Sequence, residues 1–538
     1  MIHSDDIKMI YSYCGLYGNV LETDIDKSYP EALLAMYQSV GVNAVWLPVV
    51  LYQLTPFPFD VEYSVGWEKR QERLRELIAR AEKFGIKVFL YINEPRCMPL
   101  EFYNKYPELK GTVVGQYASM CQSDARVIQY LRDSIRSLCT NIPKIGGFFT
   151  ITFSENLTHC KSLEGELCSR CKHVESQKLA ADVICAISEE SRSVDPNIRT
   201  IAWTWGWNSF MSKEQIRDLI DRLPKEVILQ CTSEENKEFC IGGIKGNIAD
   251  YTLSMPGPGN LSKETWDYAR KRGMEVSAKV QINNTWECST VPFLPVFDLI
   301  RENVVSLKNA GVKHMMLSWT LGGYPSASIK VAMQCFGNSS EEAYRKLLLD
   351  EYGDHADSVQ KAVQIFSEAF REFPFHLGVL YTGPQNAGPS NLLYKEPTGF
   401  EATMTCYSYD DIKSWSSIYP EEIYINQLRK LSHKWRDGLI EIEGMPQCEF
   451  KDSAWMGYAL FYSSYLQADF IINRRSNNTA RMCEILMEEE KLARMTYKLM
   501  LHNNLIGYEA ANHYYFTKSM LAEKVICCRT LYEDFSNK

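Results

Sequence analysis

The sequence has 538 residues, of which 45% are hydrophobic and 23% are charged, and its formal net charge at pH 7 is −9. This composition is typical of a globular protein that is long enough for more than one domain. The acidic balance and the lack of a long basic run exclude an ordinary nucleic-acid-binding or anionic-membrane-binding protein, so we expect neither partner.

Eight short apolar segments alternate with amphipathic helical segments over the first two-thirds of the chain. Several of the helical segments end in a glycine just before the next apolar segment, which is typical of a helix C-cap. No G-x-G-x-x-G pattern is present, so a (β/α)8 TIM barrel is favoured over a doubly wound sheet. The predicted strands are Met9 to Tyr13, Ala44 to Val49, Val88 to Ile92, Phe148 to Phe153, Thr200 to Thr204, Val227 to Cys231, Val276 to Ile282 and His314 to Trp319. The predicted helices are Trp67 to Phe84, Ala125 to Leu138, Val174 to Ser191, Lys213 to Arg222, Lys263 to Arg272 and Phe297 to Ala310.

The pattern becomes helical after about residue 340, which predicts a barrel over residues 1–336 and an α-helical C-terminal domain over 337–538. Residues 383–400 are rich in Gly, Pro and Asn and indicate a long loop. The predicted helices are Ala362 to Phe373, Tyr424 to Glu441, Ser453 to Ile472, Ala480 to His502 and Tyr508 to Phe535.

The fourth predicted strand ends in the most informative residue of the sequence, Glu155. An apolar run over residues 146–153 leads directly to Ser154, Glu155 and Asn156. A barrel presents its catalytic groups at the carboxyl ends of its strands, and a carboxylic acid there can protonate a leaving group. We therefore interpret Glu155 as the general acid/base of a glycoside hydrolase; a salt-bridged structural carboxylate is the alternative.

Three further carboxylates follow predicted strands or their insertions. Glu94 follows the third strand, and Asp124 follows an inserted excursion after it. Either residue could orient a substrate group or pair with Arg96. Glu287 follows the seventh strand, where a retaining two-carboxylate enzyme would carry its nucleophile, although it could equally accept hydrogen bonds from substrate hydroxyls.

Tryptophans and amides also gather at the predicted strand ends, as expected of a sugar-binding site. Trp203, Trp205 and Trp207 alternate along one strand, and this spacing predicts that they share one face and form a sugar-stacking platform. The other predicted substrate-binding residues are Arg96, Asn156, Asn283, Asn284, Trp286, Trp319 and Tyr324.

The loop after Glu155 carries a cysteine-rich motif with metal-ligand spacing. Cys160, Cys168, Cys171 and His173 form a C-x7-C-x2-C-x-H pattern, with His159 beside it as another candidate ligand. Three cysteines and one histidine are a set that holds Zn²⁺ tetrahedrally. We expect a structural zinc that fixes the loop carrying Glu155, and reduced free thiols are the alternative.

These strand-end motifs resemble those of the glycoside hydrolase family 20 β-N-acetylhexosaminidases. The resemblance covers residues 9 to 330 and implies the TIM-barrel fold, with Glu155 matching the catalytic glutamate of the family. In that family an aspartate directly precedes this glutamate and orients the acetamido group of the substrate. Ser154 stands there in this sequence, so Asp124 or Glu94 would have to take that role.

The resemblance implies an exo-acting hydrolase that cleaves terminal amino sugars from oligosaccharides and needs no cofactor for catalysis. Two alternatives stay open: a retaining glycosidase of another sugar with Glu155 and Glu287 as its two carboxylates, and a barrel that binds glycans without cleaving them. The first residues lack the basic and apolar segments of a secretory signal, and no apolar run is long enough to span a membrane. We therefore expect a cytoplasmic protein whose 17 cysteines are mostly reduced.

Overall fold

A computed structural model describes residues 5–18, 20–405, 407–511 and 517–536. The chain forms two compact units. The first comprises Met1–Ser233, Leu261–Lys279 and Asn309–Leu317, and the second comprises Glu234–Asn260, Val280–Lys308 and Ser318–Lys538. These units divide the chain differently from the predicted boundary at residue 336, because three segments before that residue group with the C-terminal helices.

The first unit contains a closed barrel of eight parallel strands, which confirms the predicted fold class. Each strand pairs with its neighbours in the sequence, and the first strand pairs with the eighth to close the ring. All eight predicted strands are present. They are β1 (Lys8–Tyr11), β2 (Ala44–Pro48), β3 (Lys87–Tyr91), β4 (Gly147–Ile151), β5 (Arg199–Trp203), β6 (Ile228–Thr232), β7 (Val276–Lys279) and β8 (His314–Met316).

Burial explains why these segments were recognisable as strands. Every residue of β1, β4, β6 and β7 is buried, since a parallel strand in a barrel is covered on both faces. Aromatic rings on neighbouring strands pack together: Phe149 stacks on Tyr91 with ring centroids 4.7 Å apart, and its ring meets Trp46 edge-on at 5.2 Å. These contacts fix the relative positions of β2, β3 and β4.

The six helices predicted between the strands are confirmed, with bounds that shift by a few residues. Trp67–Glu82 buries Leu74, Leu77, Ile78 and Ala81, the apolar stripe that identified it. The helices up to β8 are Ile25–Ser28, Glu31–Ser39, Leu51–Leu54, Trp67–Glu82, Phe102–Lys105, Ala125–Asn141, Ser176–Val194, Trp207–Phe210, Lys213–Arg222, Asn260–Lys271 and Phe297–Asn309.

Two small antiparallel sheets lie outside the barrel. One follows β3 and has the strand order Met98–Pro99, Tyr117–Met120, Lys110–Val114. The other is a hairpin of Glu238–Ile241 and Ile244–Asn247 in the second unit. The first sheet matters for the site, because it contacts the loop that follows β4.

The second unit is mainly helical, as predicted. Residues 383–400 form a loop that contains two short 3₁₀ turns, Pro384–Asn386 and Gly388–Ser390. The predicted last helix begins only at Lys518, and residues 512–516 of that prediction lie outside the described residues. The helices after β8 are Ala327–Gly337, Glu341–Tyr352, Ala356–Phe370, Leu377–Thr382, Ile412–Ser416, Glu421–Glu441, Glu449–Arg475, Thr479–His502 and Lys518–Ser536.

None of the helices in the described part of the chain is long and apolar enough to cross a membrane.

Candidate active site

Glu155 lies just beyond the carboxyl end of β4, and its side chain is exposed. The backbone before it is held by the loop that follows β5. Gly206 has φ of +81°, and a Cβ at this position would overlap the carbonyl oxygen of Phe153. Only glycine permits both this conformation and this close approach. The tight contact therefore fixes where the Glu155 loop begins.

An amide at the end of β3 ties the two neighbouring strand ends together. In the orientation that satisfies both of its polar atoms, the Asn93 amide oxygen accepts hydrogen bonds from the hydroxyls of Tyr91 and Ser154 and from the Asn156 amide. The Asn93 nitrogen donates to main-chain carbonyls, including that of Ile151 at the end of β4. The residues on both sides of Glu155 are thus anchored to β3.

Glu155 is within electrostatic reach of Tyr17 and Tyr91, and Arg96 acts on the same two tyrosines. Burial raises the pKa of the Tyr17 hydroxyl, the charge of Glu155 raises it further, and the charge of Arg96 opposes this effect. Burial also raises the pKa of Tyr91, on which Glu155 and Arg96 act in the same opposite senses. Arg96 is half-buried. An exposed carboxylate with a guanidinium and hydroxyls nearby is equipped to bind and protonate a polar substrate. Sequence patterns gave no indication of Tyr17 or Tyr91.

Glu94 is buried beneath this surface, with 1% of its area exposed. One of its oxygens accepts the Leu51 amide at 3.1 Å, and the other accepts the Arg96 amide at 2.9 Å. Burial raises the pKa of Glu94 to about 7, although these hydrogen bonds and the Arg96 charge lower it. Its carboxylate thus holds the loop that presents Arg96, and direct contact with a substrate stays a prediction.

Asp124 has a local structural role. It caps the helix Ala125–Asn141, accepting the Arg126 amide at 3.1 Å, and its two oxygens also bind the Arg126 guanidinium at 2.9 and 2.8 Å. These contacts with Arg126 lower the pKa of Asp124. Both oxygens are therefore occupied, which disfavours the predicted role in orienting a substrate group.

The three alternating tryptophans do not share one strand face, contrary to the prediction. The strand ends at Trp203, and Gly206 turns the chain before Trp207 begins a short helix. Trp203 and Trp207 are buried, and the Trp207 indole donates to the Thr152 hydroxyl at 3.0 Å. Only Trp205 is half-buried, so it is the one tryptophan of the three that offers a surface for a sugar.

In the second unit, Glu287 is completely buried and saturated with hydrogen bonds. One oxygen accepts hydrogen bonds from the Thr252 hydroxyl at 2.7 Å, from the Ser254 amide at 3.3 Å and from the Ser254 hydroxyl. The other oxygen accepts the Leu253 amide and the Thr285 hydroxyl, both at 2.7 Å. A carboxylate with five donors and no exposed surface organises its loops. This environment disfavours the predicted nucleophile.

The two asparagines after β7 also bind the protein itself. Asn283 donates to the carbonyls of Gly322 and Tyr324 at 2.7 and 2.6 Å, and Asn284 donates to those of Ser289 and Val291 at 3.3 and 2.6 Å. Both side chains are buried. They shape the loops of the second unit, and this use of their amides disfavours direct binding of a sugar.

Partly exposed aromatic side chains line the same loops. Trp286 and Trp319 are half-buried, and the Trp286 ring lies 6.4 Å from that of Tyr381 at a 60° tilt. Tyr324 is buried, and its hydroxyl donates to Glu449 at 2.6 Å. Trp286 and Trp319 thus keep the exposure that stacking on a sugar requires, whereas Tyr324 does not.

The second unit contains a further buried carboxylate that the sequence patterns did not reveal. Glu509 is buried, and its two oxygens accept the consecutive amides of Gly322 and Gly323 at 2.9 and 2.7 Å. Burial raises the pKa of Glu509 to about 7. The paired glycines after β8 therefore bind a protein carboxylate, a contact that their position far along the chain from Glu509 did not reveal.

The predicted set of metal ligands is wrong at one residue. Cys160, Cys168 and Cys171 do come together, but the fourth member of the group is Cys121, at the end of the small sheet. His173 is exposed and lies outside this group, because the chain turns away after Cys171. His159 is buried and packs its ring edge-on against Phe153 at 4.7 Å.

Comparison with known proteins agrees with the fold. No family model matches the sequence, and no curated protein matches it. Among solved structures, a GH138 enzyme targeting pectin rhamnogalacturonan II is 13% identical with a TM-score of 0.56, over 98% of this chain and 68% of that chain. The Thermobaculum terrenum O-GlcNAc hydrolase is 12% identical with a TM-score of 0.41, over 99% and 97% of the two chains. At these identities the first likeness concerns the fold alone, and the resemblance to glycoside hydrolase family 20 stays a prediction.

Proposed function

We propose that this protein is a glycoside hydrolase in which Glu155 is the general acid/base. The observation that carries the proposal is the contrast among the four predicted carboxylates. Glu155 is exposed at the carboxyl end of β4, the face where TIM-barrel enzymes carry out their chemistry. The other three are occupied by backbone amides, hydroxyls or an arginine. A TIM barrel alone supports many activities, so the proposal rests on these residues.

The same contrast favours a mechanism assisted by the substrate, in which Glu94 would have to orient the acetamido group, because both oxygens of Asp124 are bound by Arg126. A retaining enzyme with two protein carboxylates needs a second free carboxylate, and neither Glu287 nor Asp124 has a free oxygen. An N-acetylhexosamine brings its own nucleophile, because its acetamido oxygen can attack the anomeric carbon. Glu155 would donate its proton to the departing glycosidic oxygen. It would then take a proton from the water that opens the cyclic intermediate, which restores the acid and releases the sugar.

The proposed activity is therefore that of an exo-acting β-N-acetylhexosaminidase, with an oligosaccharide as substrate. Arg96, Tyr17 and the half-buried Trp205 are the groups that would bind the sugar near Glu155. A cytoplasmic location, in which the cysteines would stay reduced, is part of this proposal.

The two alternatives make different demands on the chain. A two-carboxylate glycosidase of another sugar would require Glu287 to leave its five hydrogen bonds. A barrel that only binds glycans would need no proton donor, so replacing Glu155 would change no reaction rate. Because the half-buried Arg96 carries a positive charge that could pair with a carboxylate, an acidic sugar, such as those of pectin, is a second substrate class to test.

A screen of aryl glycosides with the full-length protein tests the proposal. We expect hydrolysis of aryl N-acetyl-β-hexosaminides in preference to neutral and uronic-acid glycosides. Glu155→Gln should lower kcat/KM by roughly 10²- to 10⁴-fold on substrates with poor leaving groups, and much less on activated ones. Glu164→Gln is the matched control, since Glu164 is an exposed glutamate of the same loop.

Equal losses on both kinds of leaving group would contradict the acid role of Glu155. Turnover of only another sugar class would contradict the substrate assignment and leave the acid role standing. Binding of glycans without any turnover would favour the non-catalytic alternative.

A further inference from the structure

Four cysteine sulfurs converge in the first unit, and among the residues that the structure describes no other cysteine or histidine belongs to the group. The Sγ atoms of Cys121, Cys160, Cys168 and Cys171 all lie within 4.8 Å of one another. Cys121 Sγ lies 3.5 Å from that of Cys168 and 3.4 Å from that of Cys171. All four side chains are buried, with Cys168 the most exposed at 7%. Cys121 is nearly equidistant from two partners, an arrangement that a single disulfide does not explain.

We infer that these four cysteines bind one Zn²⁺ as a closed tetrahedral site. Zinc–thiolate bonds of about 2.3 Å place the sulfurs of a tetrahedral site roughly 3.8 Å apart, close to the separations seen here. A set of four sulfurs selects Zn²⁺ or iron among common metals. Four protein ligands leave no position for water or substrate, so the metal is structural.

The surroundings suit the negative charge of such a site. The Ser119 hydroxyl lies 3.3 Å from the Cys160 sulfur, and the Ser123 hydroxyl lies 3.1 Å from that of Cys171. Hydroxyls that donate to thiolates are the outer contacts that orient metal ligands. The Arg170 guanidinium also interacts electrostatically with Cys168 and Cys121. A cation and two donors thus offset the excess charge of four thiolates on one Zn²⁺.

The backbone also holds the ligands in place before any metal binds. The Cys171 amide donates to the Cys168 carbonyl at 3.1 Å, which forms a tight turn between these two ligands. The Thr112 hydroxyl donates to the Cys160 carbonyl at 2.6 Å and accepts the Cys168 amide at 3.2 Å. A Cβ on Gly111 would overlap the Ser119 hydroxyl and approach Cys160, so this strand must carry glycine there. The site is therefore built into the sheet.

The position of the site indicates which segments the metal would join. Cys121 follows the small sheet inserted after β3, whereas the other three ligands lie in the loop that carries Glu155. A bound Zn²⁺ would join these two segments only five residues after Glu155. Removal of the metal would loosen this loop at one end, where only the contacts with Thr112 and Val113 would remain, while Asn93 and Gly206 still hold the other. This consequence is independent of which sugar the protein cleaves.

Metal analysis of full-length protein, expressed with zinc in the medium and purified without chelator, tests the inference. We expect about one Zn²⁺ per chain in the wild type and below about 0.2 in Cys121→Ser, since loss of one ligand strongly weakens a four-ligand site. Cys139→Ser is the matched control, because Cys139 is buried in the same unit but outside the group. It should keep about one Zn²⁺.

Cys121→His keeps a zinc ligand and guards against a simple folding failure. This variant should regain most of the metal, and its Co²⁺ form should show weaker thiolate-to-cobalt charge-transfer absorption than wild type. Full zinc in Cys121→Ser, or folded wild-type protein without metal, would overturn the inference. Stoichiometric iron in place of zinc would overturn the choice of metal.

Discussion

The Nζ atom of Lys524 lies 2.9 Å from a carboxylate oxygen of Glu489, and both side chains are completely buried in the helical part of the second unit. The Ser463 hydroxyl donates to the other oxygen at 2.8 Å, and Lys524 also donates to the Asn391 carbonyl at 2.5 Å. Each charge is compensated by the other and by polar neighbours, so loss of one partner leaves a buried charge without compensation.

Lys524→Met should therefore lower the free energy of unfolding by about 3–5 kcal/mol, measured by chemical denaturation. The double variant Lys524→Met/Glu489→Leu should recover at least half of this loss, because it removes both charges. The exposed Lys518, on the same helix, gives the control Lys518→Met, which should stay within about 0.5 kcal/mol of wild type. A single variant as stable as the control would show that the pair contributes nothing.

Acid should weaken the first unit through Glu275, at the start of β7. Its carboxylate is bound by His314 Nε2 at 3.2 Å and by Lys313 and Arg199, and these contacts hold its pKa well below the usual range. The Ile7 amide donates to His314 Nδ1, so Nε2 carries the ring hydrogen and donates a hydrogen bond to Glu275.

A depressed folded-state pKa contributes stability that is present above the unfolded value, about 4.3, and is lost as pH falls below it. The Tm of Glu275→Gln should accordingly lie below that of wild type at pH 7, and the gap should narrow progressively as pH falls below about 4.3. The exposed Glu226 gives the control Glu226→Gln, whose Tm should follow wild type throughout. A constant gap between wild type and Glu275→Gln would refute the electrostatic explanation.

The mechanism can be separated with two inhibitors. If the acetamido group attacks, a sugar thiazoline that mimics the cyclic intermediate should bind roughly 10²-fold or more tightly than the free sugar. A 2-fluoro glycoside should leave Glu287 unlabelled in peptide mass spectra, because that carboxylate is buried and fully hydrogen-bonded. Covalent labelling of Glu287 without thiazoline inhibition would replace the proposed mechanism with the two-carboxylate one.

Trp205 and Trp207 form a matched pair for testing sugar stacking. Trp205→Ala should raise KM by about 2- to 10-fold with little change in Tm, since a stacking contact is typically worth about 0.5–1.5 kcal/mol. Trp207→Ala should instead cost about 3–5 kcal/mol of stability, because its indole is buried and bonded to Thr152. A large fall in the Tm of Trp205→Ala with unchanged KM would assign Trp205 to the core.

Local patterns predicted the barrel well because its strands are short, apolar and buried on both faces. They also placed Glu155 correctly at a strand end. The prediction that the three tryptophans share one strand face was wrong because the alternation was extended past Trp203, although Gly206 between the last two tryptophans was a signal of a turn. The burial of the other carboxylates could not be predicted, because the residues around the exposed Glu155 and the buried Glu287 in the sequence do not distinguish them.

Contacts between distant parts of the chain were not predictable in this way. Cys121 precedes the C-x7-C-x2-C motif by a whole helix and a strand, so spacing led to His173 as the fourth ligand. Glu509 lies far from the glycines whose amides it accepts. Cys121 directly follows a strand of the insertion, a position that could have identified it as a ligand, but no comparable local signal marks Glu509.

The packing of Gly206 against Phe153 also has a consequence for protein engineering. The loops after β4 and β5 cannot be diversified separately, because any side chain at position 206 displaces the backbone that leads to Glu155. A library designed to change sugar preference should keep this glycine and vary Trp205 and Asn208 beside it. Recombination with other barrels should transfer β4, β5 and both loops as one cassette.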